Sequence, residues 1–113
     1  MNEQSYEEAA EALAAGVASV TVGKRVEELR AQGVSEAGEE LVRVCIVLSE
    51  GGVVELKNRL GESMKIDAHE RIGAVVRKVS WNHEHEALHF DGDEGFLFSV
   101  PVALRYAFPA TGT

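Results

Sequence analysis

Three histidines, His83, His85 and His89, fall within seven positions of the chain. Imidazole nitrogens bind zinc and related metals, and alternate residues of an extended strand share a side, so these odd-numbered positions could converge as a three-histidine site. A metal-dependent enzyme or sensor is the chemistry such a site would support. The surrounding sequence favours a simpler reading. NHEHE separates two apolar runs, which makes it a polar hairpin loop with its histidines in water. DGDEG, from Asp91 to Gly95, opens like a calcium loop with Asp91 and Asp93 at positions one and three. Position six is Phe96 where glycine is required, and position twelve is Val102 where a bidentate glutamate should stand. It therefore reads as a turn.

The other candidates for chemistry are weaker. Glu39 and Glu40, or Glu84 and Glu86, are paired carboxylates with nothing apolar around them to raise a pKa for acid–base work. GVVELKNRLG lacks both the spacing and the Gly-Lys-Ser/Thr ending of a phosphate loop. No serine lies in a nucleophile elbow, and the single cysteine, Cys45, sits inside the apolar run LVRVCIVL without a base beside it. Trp81 reads as a core or rim residue, with a partner-contact anchor as the alternative. The expectation is a protein that is not an enzyme and takes no cofactor and no metal.

Charge is the more informative property. The formal net charge is −8, and residues 1–40 carry −6 of it, with nine acids against three bases. The acids in excess there are Glu7, Glu8, Glu11, Glu27, Glu28, Glu36, Glu39 and Glu40, together with Glu3. Binding nucleic acid requires lysine and arginine to displace condensed counterions, so direct nucleic-acid binding is disfavoured. The same surface would attract a basic groove on a larger protein and orient it on approach. Those eight glutamates are the candidate partner-binding residues. Acidity that merely maintains solubility is the alternative meaning of the same number.

The elements that must carry these residues follow from periodicity. Ser5 and Glu8 have the spacing of a capping box, and Tyr6, Ala10, Leu13 and Val17 form one helical stripe with Glu7, Glu8 and Glu11 turned away. Gly16 followed by VASVTV predicts a break before Thr21. Val22, Val26 and Leu29 predict a second helix from Val22 to Gln32, ended by Gly33. A short acidic turn capped by Ser35 would then lead to the sheet. Read as a helix-turn-helix, that region would place EAGEELV on DNA, and its three glutamates would repel the phosphates.

Leu41–Leu48 and Val53–Lys57 alternate as strands around a SEGG turn, with Val54 and Leu56 inward. Met64 and Ile66 suggest a short edge segment, and AHERIG a turn. Ile72 to Val102 reads as a three-stranded meander, IGAVVRKVSW, ALHF and FLFSVPV, with Phe96, Phe98, Val100 and Val102 on one face.

The predicted fold is α+β, one domain over residues 1–113 with loose ends at 1–4 and 110–113. Two N-terminal helices cover one face of a mostly antiparallel sheet of about five strands, a hairpin plus a meander. A chain of this length buries roughly two-thirds of its unfolded surface, enough for one core. No apolar run reaches the ~20 residues that span a bilayer, and the acidic N-terminus and lone cysteine fit a soluble, cytoplasmic protein with no membrane contact. The functional expectation is a small acidic binding or inhibitor protein that docks its anionic helical face on a basic, nucleic-acid-binding surface of a partner, as counter-defence or toxin-neutralising proteins do. The alternatives are a self-associating subunit, forming a homodimer or larger oligomer through a sheet edge or the Val100–Phe108 segment, and the metal-dependent reading of His83, His85 and His89.

Overall fold

The computed structural model describes residues 3–59 and 68–103. Among the described residues the chain is α+β, with one α-helix, α1 (Glu3–Thr21), a 3-10 turn at Ser49–Gly51, and seven strands: β1 (Arg25–Glu36), β2 (Glu39–Leu48), β3 (Val53–Arg59), β4 (Ala68–Val75), β5 (Lys78–Asn82), β6 (Ala87–Gly92) and β7 (Gly95–Pro101). They form two antiparallel sheets, one of four strands in the order β3-β2-β1-β4 and one of three in the order β5-β6-β7.

The apolar stripe of α1 is as expected: Ala10, Leu13 and Val17 are buried and Tyr6 packs against them. The break at Gly16 does not occur. Burial of Val17 outweighs the weak propensity of the segment, and two hydroxyls fold back on the helix, Ser19 Oγ donating to the Gly16 carbonyl at 2.6 Å and Thr21 Oγ1 to that of Val17 at 2.8 Å. Nor does Ser5 start the helix, which already runs from Glu3. Residues 3 and 4 are therefore helical, not a loose end, while 110–113 lie outside the described residues. Gly23, at φ +86°, turns the chain into β1.

The predicted second helix is a strand. Val26 and Leu29 are three apart, a spacing that mimics a helical stripe, but a bulge between Val26 and Glu28 absorbs one residue and returns both to the same side of β1. Gly33 is mid-strand, and the segment read as an acidic turn is the tip of the β1–β2 hairpin. There Ala37 (φ +49°) and Gly38 (φ +80°) make a two-residue loop between paired Glu36 and Glu39. Positive φ at both positions is the type I′ geometry whose twist suits a tight hairpin. This removes the helix-turn-helix as well.

Val54 and Leu56 of β3 face the core, as their alternation predicts. AHERIG, expected to be a turn, belongs to β4 and pairs along β1, with Arg30 opposite His69 and Val26 opposite Ala74. Met64 and Ile66 lie outside the described residues. The single five-stranded sheet is replaced by two because the run IGAVVRKVSW is divided by a corner. Val76, fully buried, exchanges hydrogen bonds with the 23–24 backbone (Gly23 N–H to its carbonyl, 2.8 Å; its N–H to the Lys24 carbonyl, 3.0 Å), while the next residue, Arg77, donates to the Asp91 carbonyl of the second sheet at 2.8 Å.

The meander is real from Lys78 onward. Leu88, Phe90, Phe98, Val100 and Val102 are buried, and with α1 and the inner face of the four-stranded sheet they form one hydrophobic cluster. Phe96 departs from its predicted face. Phe90 pairs with Phe98 but Asp91 pairs with Phe96, so Leu97 is an extra residue, and Phe96 turns outward, 58% exposed.

Gly92 sits where the corner approaches the β6–β7 turn. A Cβ there would stand 3.1 Å from the Val75 carbonyl oxygen and 3.2 Å from the Leu97 methyls. Because the first contact is backbone, Gly92→Ala is expected to cost about 1–3 kcal/mol in urea unfolding, and Gly92→Val more.

Candidate functional site

The three histidines are not brought together. His83 and His85 are exposed in the loop between β5 and β6, where the His85 N–H donates to Asn82 Oδ1 at 3.2 Å. His89 is half-buried on β6, its ring 4.4 Å from that of Phe96 and its Nε2 3.8 Å from Asp91 Oδ1. Among the described residues no group of three histidine, cysteine, aspartate or glutamate side chains could hold a metal ion. DGDEG forms the β6–β7 turn, where Asp93 takes a two-pronged ion pair from Arg77 at 2.9 and 3.4 Å. Cys45 is half-buried on the face of β2 opposite the core, with Sγ 3.9 Å from Glu55 Oε1.

The eight candidate glutamates fall into three groups. Glu7, Glu8 and Glu11 are exposed on α1, which carries no lysine, arginine or histidine along its length. Glu27 and Glu28 lie at the β1 bulge, and Glu28 is paired with Arg30 at 2.8 Å. Glu36, Glu39 and Glu40 flank the β1–β2 tip, where Glu36 is paired with Lys57 at 2.6 Å. At 3.3 Å rise per residue, Glu27 and Glu36 are roughly 30 Å apart along β1. The acidity is therefore distributed over several places. Only on α1 are three neighbouring carboxylates exposed without an ion-pair partner among the described residues.

This stretch of α1 borders a groove. The helix packs on β5, the first strand of the three-stranded sheet, and its small residues Ala10, Ala14 and Ala15 leave an open cavity of about 610 Å³ between the two elements. Glu7 and Glu11 form part of one wall; Val79, Trp81 and His83 form part of the other. Volumes of this order hold ligands or side chains of a partner. Among the described residues no lysine or arginine lines the groove.

At one end of the groove three rings meet. Tyr6 is edge-on to Trp81 at 6.2 Å and to His83 at 5.4 Å. The Tyr6 hydroxyl and the Trp81 indole N–H are both buried without a hydrogen-bond partner among the described residues. Burial, then the Glu86 carboxylate, pushes the Tyr6 phenol above its ordinary pKa of 10.0; the Trp81 N–H, close by but short of hydrogen-bonding geometry, acts in the opposite direction.

Two consequences follow for Tyr6→Phe. Removing a buried hydroxyl that has no partner among the described residues should leave stability unchanged or raise it by up to about 1 kcal/mol. The raised pKa means that the folded state favours the neutral phenol, so this contribution to stability is intact below pH 10 and is lost as pH rises beyond it. Urea titrations above pH 10 should show a shallower loss in the phenylalanine variant.

The sequence marked the glutamates and the Tyr6–Val17 stripe but not the groove. The alanines at 10, 14 and 15 were its only trace, and alanine in a helix signals propensity more often than space. Among the described residues no helix is long and apolar enough to cross a membrane. Comparison with protein-family models, with curated proteins and with solved structures found no match to this chain.

Proposed function

We propose that this is a small non-enzymatic binding protein that docks the acidic face of α1 on a basic surface of a larger protein. The observation that carries the reading is the run of exposed Glu7, Glu8 and Glu11, without an ion-pair partner among the described residues, on a helix without a single base. Long-range attraction between such a face and a cationic groove accelerates encounter and fixes orientation. A basic groove that binds nucleic acid is a natural target, since carboxylates on a rigid helix can occupy phosphate positions; an inhibitor would work by that occupancy. The remaining candidates, Glu27, Glu28, Glu36, Glu39 and Glu40, add to the overall field but are not part of the docking face. The test is capture of partners on the immobilised protein at low salt, followed by elution in rising salt. A basic protein released as salt rises supports the reading; recovery only of proteins whose retention ignores salt overturns it.

A further inference from the structure

The groove between α1 and β5 has features that a flat acidic surface would not need, and they define what enters it. Glu7 and Glu11 are four residues apart, which places their Cβ atoms about 5–6 Å from each other on one side of the helix. That separation lets two carboxylates flank a single cation. Below them the groove is lined by the methyl groups of Ala10 and Ala14, and across it by Val79 and the Trp81 ring. A ligand suited to this site has a charged head, an apolar stem and affinity for an aromatic surface.

We infer that the groove is a receptor for an arginine side chain on a basic segment of the partner. The guanidinium is a planar fork with five donors, which can engage both carboxylates at once and stack on an aromatic ring. Its three methylenes would lie along the alanine floor. Among aromatic rings the indole attracts a cation over its face most strongly. Lysine, a compact and strongly hydrated charge, uses one carboxylate well and the ring poorly. Arginine should therefore be preferred. The inference rests on the docking reading above and makes it specific, in residue type and in place.

Trp81 is the chain's only tryptophan, so its fluorescence reports the groove directly. The probes are a tetra-arginine peptide and a tetra-lysine peptide, followed at low ionic strength by Trp81 emission and, with a dye on the peptide, by anisotropy. The expected result is a saturable change in Trp81 emission with the arginine peptide and affinity about tenfold lower for the lysine peptide. The double substitution Glu7→Gln with Glu11→Gln should weaken arginine binding by about tenfold or more, whereas Glu27→Gln with Glu40→Gln, which removes the same charge elsewhere, should change it less than about twofold. Binding seen by anisotropy with no change at Trp81, or weakened equally by the two double variants, overturns the groove while leaving the acidic docking surface standing. Absence of any binding at low salt overturns both.

Discussion

Phe90→Ala is expected to cost about 3–5 kcal/mol and to leave little folded protein at 37 °C. Phe90 is fully buried, its ring stacked on that of Phe98 at 4.5 Å and 22°. It lies in the central strand of the three-stranded sheet and belongs to the cluster that also takes in α1 and the four-stranded sheet. Truncation would remove the transfer energy of the ring, leave a cavity between the sheets and abolish an aromatic pair worth about 0.5–1.5 kcal/mol beyond its area. Phe96→Ala supplies the control. That ring is also aromatic and six residues away but 58% exposed on the outer face, so its loss should cost less than about 1 kcal/mol. Urea denaturation of the two variants distinguishes them, and equal losses would contradict the bulge at Leu97 that sends one ring inward and the other out.

The second large effect concerns binding. Reversing Glu7, Glu8 and Glu11 to lysine moves the net charge from −8 to −2 and would put like charges against the basic partner proposed above. Affinity for the captured partner should fall by at least about 100-fold, since juxtaposed like charges cost several kcal/mol on top of the attraction removed. The fold should survive. All three side chains are exposed and lie beyond the first turn of α1, and surface substitutions of this kind usually change stability by no more than about 0.5 kcal/mol each. A far-ultraviolet circular dichroism spectrum matching the parent protein would attribute the lost binding to charge.

Much of the architecture was legible in the chain, and the failures share a physical origin. Strict alternation in LVRVCIVL, in Val54 and Leu56, and in ALHF predicted β2, β3 and β6, and the NHEHE and DGDEG clusters are the turns that they resembled. Errors arose wherever one extra residue altered the phase. The bulge at Glu27 made Val26 and Leu29 look helical, and the extra Leu97 put Phe96 on the wrong face. The hairpin tip at Ala37 and Gly38 lacked the Asn-Gly or Asp-Gly signal because an alanine occupies a left-handed position there. The division into two sheets was invisible for a different reason: Arg77 and Lys78 after Val76 are compatible with one continuous strand as well as with a corner, and only the pairing of Val76 with the 22–24 segment shows that the chain turns there. Charge, by contrast, was readable in amount but not in arrangement. The sequence could not show that Glu28 and Glu36 are held by Arg30 and Lys57 while the α1 carboxylates remain exposed.

The dissociation constant of the captured complex, measured across ionic strengths from about 0.05 M to about 0.3 M, tests the docking of α1 on a basic surface most directly, because the screening length shrinks through the range of contact distances there. The account predicts affinity that falls at least about tenfold over that interval for the parent protein and rises for the triple lysine variant, whose repulsion from the basic surface salt screens. A constant that stays flat with salt in the parent protein would contradict it.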